Sequence, residues 1–260
     1  YRWAPHLFSL SDGTMSRATT EPLGGWAAYS NTIAVKDTQR SRIWYFRHGS
    51  ITADCHDLQG GPPYTRKTHV VQKAGGGNTD TYFGTYNSTW VYVPEADAIV
   101  SFTPDNSGYT PTLNAPIGVG VLGLSTGVPV DFRRSDIPRH PMRHSGIFVG
   151  VAWCPTLQRF YLYQGMGDDF CIVLTPSSLD FARCDWTWSK ESFGGPPPVT
   201  RFPGEELTDQ IKGVLGRWVW VPAHGCFAWH DGPTTTGVCA DGVKRNGIVQ
   251  LWRPPGVRVA

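Results

Sequence analysis

The chain has 260 residues, among them 30 Gly, 21 Pro, 11 Trp, 10 Tyr and 12 Phe, and its 23 basic and 21 acidic side chains leave a net charge of +2. That length suits one large all-β domain or two ordinary ones, and the surplus of Gly, Pro and aromatics excludes a fold of long amphipathic helices. The near balance of charge lacks the positive excess of a surface that neutralises many phosphates, which argues against nucleic acid as a partner.

The chain opens Tyr1-Arg2-Trp3 without Met or an apolar signal-type segment, as expected of a processed product or a piece of a longer protein. The first apolar pair of strands is expected at Trp26-Ala27-Ala28-Tyr29-Ser30 and, past Asn31-Thr32, at Ile33-Ala34-Val35, with a third strand over Arg42 to Arg47. Gly60-Gly61-Pro62-Pro63-Tyr64-Thr65-Arg66 then turns the chain. The plan returns at Trp90-Val91-Tyr92-Val93-Pro94, followed by Glu95-Ala96-Asp97, the run Ala98 to Phe102 and a strand from Ile117 to Leu124. The apolar stretch from Pro116 to Val130 is broken by Gly, Ser, Thr and Pro and falls short of the roughly 20 residues that span a bilayer, so no membrane insertion is expected.

A third copy runs from Val151-Ala152-Trp153-Cys154-Pro155 through Thr156-Leu157-Gln158 to Arg159-Phe160-Tyr161-Leu162-Tyr163, with a third strand at Phe170 to Leu174. An outer fourth strand is expected over Phe181 to Trp188, where part of the segment alternates with period two. Gly194-Gly195-Pro196-Pro197-Pro198-Val199-Thr200-Arg201 echoes the earlier Gly-Pro loop, and one or two helical turns are expected near Glu205 to Ile211. The last copy is Trp218-Val219-Trp220-Val221-Pro222, then Ala223-His224-Gly225, Cys226-Phe227-Ala228-Trp229 and a strand from Ile248 to Trp252.

Aligning Ser30, Pro94, Pro155 and Pro222 spaces the copies by 64, 61 and 67 residues. Each copy reads as a hairpin of two apolar strands extended by further strands, which is the blade of a propeller. The expected architecture is therefore all-β: a single β-propeller domain over residues 1–260 with about four four-stranded blades. Their cores lie near 26–60, 88–135, 146–190 and 216–256, and the segment 1–10 completes the last blade.

The segments GVAWCPTLQRFYLYQG, CIVLTP and WTW of the third copy, and GRWVWVPAHGCFAWHD and IVQLWRPPG of the last, resemble Kelch-like and galactose-oxidase-type β-propellers, especially uncharacterised bacterial and phage members. The double glycine that closes the second Kelch strand stands here as Gln164-Gly165-Met166-Gly167 and has no counterpart after Val35 or Phe102. The resemblance implies ligand or protein binding, with oxidase activity as a rare exception.

Chemistry-bearing motifs are sparse. The six cysteines, Cys55, Cys154, Cys171, Cys184, Cys226 and Cys239, form no C-x-x-C pair. Disulfides between Cys171 and Cys184 and between Cys226 and Cys239 stand against buried free thiols. His140-Pro141-Met142-Arg143-His144 has metal-like spacing, but Pro138 and Pro141 impose a loop. Asp168-Asp169, Asp105-Asn106-Ser107-Gly108 and Asp231-Gly232 read as turns rather than as calcium loops. Asn87-Ser88-Thr89 is a glycosylation pattern that matters only in a eukaryotic secretory setting. No copper-radical ligand set can be assigned, and no catalytic residue, metal site or cofactor is expected.

Tryptophan remains the surplus. Trp26, Trp90 and Trp218 sit at equivalent positions and are expected as repeated core wedges. Trp44, Trp186, Trp188, Trp229 and Trp252 lie on outer strands or near their ends and are the candidate ligand-binding residues, since a flat apolar ring beside polar groups suits a sugar. The expected function is a non-enzymatic binding or structural assembly module on a virion or cell surface, with other structural proteins or surface glycans as partners. The alternatives are a lectin-like receptor-recognition head and a glycan-acting or copper-dependent propeller enzyme, whose carboxylate pair would leave no local spacing.

Overall fold

The computed structural model describes residues 6–8, 15–17, 33–46, 52–60, 64–70, 89–104, 117–124, 130–137, 150–163, 169–195, 218–230 and 249–258. The protein is all-β, with four antiparallel sheets of three or four strands beside one two-stranded ribbon. Its contacts divide it into two compact units, residues 1–103 with 118–135, and residues 104–117 with 136–260.

In the first unit, β1 (His6–Phe8) pairs with β2 (Met15–Arg17). The segment expected to complete the last blade thus holds a strand whose described partner is β2. The first sheet runs β3 (Ile33–Asp37), β4 (Arg42–Phe46), β5 (Thr52–Asp57), β6 (Arg66–Val70) in chain order. The second does the same with β7 (Thr89–Val93), β8 (Ala98–Pro104), β9 (Ile117–Gly123) and β10 (Val130–Ile137). The second unit holds a third sheet of β11 (Gly150–Cys154), β12 (Arg159–Tyr163), β13 (Phe170–Pro176) and β14 (Trp186–Ser192). Its fourth sheet has three strands, β15 (Trp218–Val221), β16 (Cys226–His230) and β17 (Val249–Trp252). Every sheet is a meander, the simplest product of β-branched and aromatic runs separated by short turns.

One local device repeats in all four sheets. The first hairpin always closes through a four-residue loop, because the flanking pairs are Asp37 with Arg42, Val93 with Ala98, Cys154 with Arg159, and Val221 with Cys226. The last loop residue always has positive φ: 51° at Ser41, 44° at Asp97, 52° at Gln158 and 54° at Gly225. Pro94, Pro155 and Pro222 open three of these loops, where a residue without an N–H ends the ladder at no cost in hydrogen bonds. Thr38 opens the first.

This register corrects the expected phase of the first copy. Ile33–Asp37 is the first strand of its sheet and Arg42–Phe46 the second, so Thr38, not Ser30, is the counterpart of the three prolines. Trp26 to Ser30 lies outside the described residues. The two Gly-Pro loops both begin on a glycine of positive φ, Gly60 at 91° and Gly194 at 69°, but Gly60 follows a third strand and Gly194 a fourth, so they are not repeat equivalents. The outer strand expected over 181–188 begins only at Trp186, and the preceding residues turn back to bury Phe181 and Cys184. Cys171 and Cys184 are buried free thiols, which decides between the two alternatives for that pair, and Cys55, Cys154 and Cys226 are buried and free as well. Cys239, the histidine pair 140 and 144, Asp168, the turns at 105–108 and 231–232, and the segment 205–211 lie outside the described residues.

Packing between successive sheets follows one pattern in each unit. A row of paired residues on one sheet faces the first hairpin of the next. In the first unit the row Val35, Trp44, Cys55 shares a core with Trp90, Tyr92 and Ile99. In the second, the row Ala152, Tyr161, Val173 shares one with Trp218 and Phe227. First strands lie beside first strands, β3 by β7 and β11 by β15. Each large side chain buried this way contributes about 1.5–3 kcal/mol from water exclusion alone.

Candidate functional site

The site that the side chains build is an aromatic cleft in the second unit, with a volume of about 380 Å³, lined by Phe193, Gly195, Trp218, Trp229, Gln250, Leu251 and Trp252. Four segments supply it. β15 and β16 place Trp218 and Trp229 opposite each other, and β17 adds Gln250 opposite Trp229. Phe193 arrives from the end of β14, where its N–H donates to the Asp169 carbonyl at 2.9 Å. The chain can then turn away at once because Gly194 takes φ of 69°, a conformation that L side chains rarely adopt.

The rings are fixed by one another. Trp218 stacks on Phe227 at 4.8 Å between centroids and 7° between planes, and lies 6.1 Å from Trp252 at 27°. Phe193 meets Trp252 edge-on at 5.1 Å and Trp218 at 6.2 Å, and Tyr163 meets Phe193 edge-on at 5.2 Å. The Trp218 indole N–H donates to the Tyr161 carbonyl at 3.2 Å, so the floor of the cleft cannot rotate without losing a buried hydrogen bond. Trp218 and Trp229 are almost wholly buried and offer the cleft only edges, whereas Trp252 and Phe193 are half-buried and offer ring surface. The described lining presents aromatic surface, the Leu251 side chain and one amide.

No known family model and no curated protein sequence matches the chain.

Of the five tryptophans expected to contact a ligand, the structure brings Trp229 and Trp252 into this cleft. Trp188 is exposed on β14, outside the cleft lining. Trp44 and Trp186 have no ring face to offer: Trp44 sits in the core of the first unit, and Trp186 packs at 5.9 Å from both Phe160 and Phe181. Trp90 and Trp218 are buried where core wedges were expected, and Trp218 lines the cleft as well. Sequence reasoning missed Phe193 and Gln250. The single signal for Phe193 was its place before the double glycine.

Two charged clusters form structural ties, one in each unit. In the first unit Arg40, from the β3–β4 loop, makes a bidentate contact with Asp97 in the β7–β8 loop at 2.7 and 2.5 Å. It also donates to Asp37 at 3.2 Å, while Gln39 donates to the Pro94 carbonyl at 2.8 Å. The fully buried Asp37 in turn accepts the backbone N–H groups of Gln39 and Arg40, each at 3.1 Å. The bonds from Arg40 hold the Asp97 carboxyl below its ordinary value. Burial, then the charges of Asp37 and Asp97, pushes the Tyr92 phenol up, and its hydroxyl donates to Asp97 at 3.3 Å.

In the second unit the buried Tyr161 hydroxyl donates to Glu191 at 3.2 Å, and Arg159 reaches the same carboxylate at 3.3 Å. Burial, then Glu191, raises the Tyr161 phenol, and burial raises the thiols of Cys154 and Cys171 beside it. Groups held so firmly in their neutral form are poor nucleophiles. Among the described residues no group of three or more His, Cys, Asp or Glu is placed to hold a metal ion.

Proposed function

We propose that the protein is a propeller-type, non-enzymatic binding and assembly module of a virion or cell surface, and that the aromatic cleft of the second unit is its ligand site. The propeller reading is supported by the fourfold return of one hairpin with its positive-φ loop residue, and by first strands lying beside first strands. The binding reading rests on one observation: Phe193, Trp218 and Trp252 are locked into an open cleft where, among the described lining residues, the one polar side-chain function besides indole N–H is the Gln250 amide. Side chains that merely close a core have no need to leave such a space.

The same observation favours a second, more specific reading, a lectin-like head. A sugar ring presents a flat face of C–H groups edged by hydroxyls, which matches a half-buried indole beside an amide. The test is a broad glycan-binding screen of the purified chain, with a chelator-treated control, run beside Gln250→Ala and Trp252→Phe and with product analysis on every hit. Saturable binding without turnover, weakened in both variants, supports the lectin reading. A blank screen, with loss of assembly when the protein is removed from its particle or cell, supports a structural module. Turnover of any glycan would overturn the non-enzymatic assignment.

A further inference from the structure

Three of the rings that line the cleft are held, directly or through one neighbour, by a single residue behind them. Tyr161 of β12 accepts the Trp218 indole N–H at its carbonyl, 3.2 Å away. Its ring lies 4.9 Å from Phe227, on which Trp218 stacks, and meets Trp252 edge-on at 5.6 Å. Trp252 therefore touches two rings edge-on, Tyr161 and, at 5.1 Å, Phe193.

The tyrosine hydroxyl supplies the link to Phe193. It donates to Glu191 at 3.2 Å, reaching from β12 to β14 with β13 between them. Glu191 lies two residues before Phe193, in a strand that the Phe193 N–H prolongs through its bond to the Asp169 carbonyl. One hydroxyl thus joins the strand that delivers Phe193 to the ring that abuts Trp252. Arg159, at the start of β12, reaches the same carboxylate at 3.3 Å.

Packing alone does not ask for that hydroxyl. Tyr161 belongs to the row Ala152, Tyr161, Val173, whose counterpart in the first sheet is Val35, Trp44, Cys55. Trp44 fills the equivalent place with a larger ring and no hydroxyl, and it too is buried. A buried phenol without a partner is costly, so the Glu191 carboxylate answers a group that the core could do without.

Taking the cleft as the ligand site, we infer that Tyr161 and Glu191 are its positioning residues: their hydrogen bond sets the separation of Phe193 and Trp252, the two half-buried rings that a ligand would meet. Walls held in place before a ligand arrives lose little freedom when it settles between them, which is how preorganisation raises affinity.

The test is fluorine NMR of the full chain labelled with fluorotryptophan, in which single Trp→Phe variants identify the resonances of Trp252, Trp153 and Trp186. Trp153 and Trp186 pack around Phe160, on the opposite face of the third sheet from Tyr161, and serve as the internal reference. Wild type is expected to give one narrow Trp252 line. Tyr161→Phe, which keeps the ring and deletes the hydroxyl, is expected to displace that line and broaden it by exchange, with Trp153 and Trp186 unmoved. Glu191→Ala is expected to do the same, whereas Glu191→Gln, which still offers an oxygen to the hydroxyl, retains the wild-type line. A Trp252 line unchanged in Tyr161→Phe overturns the inference. So does a line displaced as far in Glu191→Gln as in Glu191→Ala, which would trace the effect to the charge shared with Arg159. Equal displacement of Trp153 and Trp186 overturns it as well, by showing a general loosening of the third sheet. A blank glycan screen beside the expected spectra removes the lectin reading and leaves the positioning of the rings standing, because the spectra are read without a ligand.

Discussion

Gly225→Ala isolates what the fourth loop owes to its glycine. Ser41, Asp97 and Gln158 occupy the same left-handed conformation in the other three loops, so the backbone alone tolerates a side chain there at a cost of about 1–2 kcal/mol. The fourth loop differs in what lies over it: a Cβ at residue 225 would stand 3.0 Å from the Val257 Cγ1. Val257 is buried in the core shared by the third and fourth sheets and has little room to yield. Overpacking of that kind adds about 1–3 kcal/mol, and the lower entropy of the unfolded alanine chain returns about 0.4–1 kcal/mol. The net loss expected is about 2–3 kcal/mol, which for a chain of this size lowers the melting temperature by about 5–10 °C. Urea and thermal transitions followed by tryptophan fluorescence would read it, since Trp218 and Trp252 lie in the same unit. Adding Val257→Ala should relieve the clash, leaving the double variant about 1 kcal/mol or more better than the sum of the singles. Strict additivity would refute the steric argument, as would an equal loss when Gln158 is replaced by alanine, because Gln158 already carries a Cβ at positive φ.

The loop tie of the first unit predicts that Arg40→Met, which leaves the buried Asp37 carboxylate without its cation, destabilises by about 2–4 kcal/mol in chemical denaturation; a loss below about 0.5 kcal/mol would show the tie to be ornamental. Asp97 has a depressed carboxyl in the folded state, so its contribution is present above the unfolded value near pH 4 and is lost as pH falls through the folded value. Wild type should therefore lose more stability than Asp97→Asn between about pH 5 and pH 2, and parallel losses would refute this. Tyr92 and Tyr161 are both raised, so their stabilising neutral forms are complete below the unfolded value near pH 10 and are opposed as pH rises beyond it. Far-UV and fluorescence signals should show alkaline loosening that Tyr161→Phe delays. The buried thiols Cys55, Cys154, Cys171 and Cys184, all raised by burial, should resist alkylation at pH 8 in the native protein and react fully in denaturant; rapid labelling of any of them by peptide mapping would contradict the packing described.

Most strands were legible in the sequence because their cause is local. Runs such as Trp90-Val91-Tyr92-Val93 and Arg159-Phe160-Tyr161-Leu162-Tyr163 are rich in β-branched and aromatic residues, and both form strands. The first copy was misphased because Ile33-Ala34-Val35 is as apolar as a second strand and its loop opens on Thr38 instead of Pro. The positive-φ residue of the loops left no trace, since Ser, Asp, Gln and Gly fill it in turn. Phe181 looked like strand because burial, not pairing, demands its hydrophobicity.

The candidate site depended on distance. Phe193, Trp218, Trp229, Gln250 and Trp252 have no common spacing, and no periodicity in the chain relates them. Nor could the sequence tell Trp252, with ring surface in a cleft, from Trp44, sealed in a core, because both occupy apolar strands of the same kind. Local chemistry determined where the chain extends and where it turns, since propensity and turn geometry act over a few residues. Only the tertiary structure decided which of eleven tryptophans line the cleft and which acids are tied to Arg40, because each is a relation between strands that the chain joins only by folding.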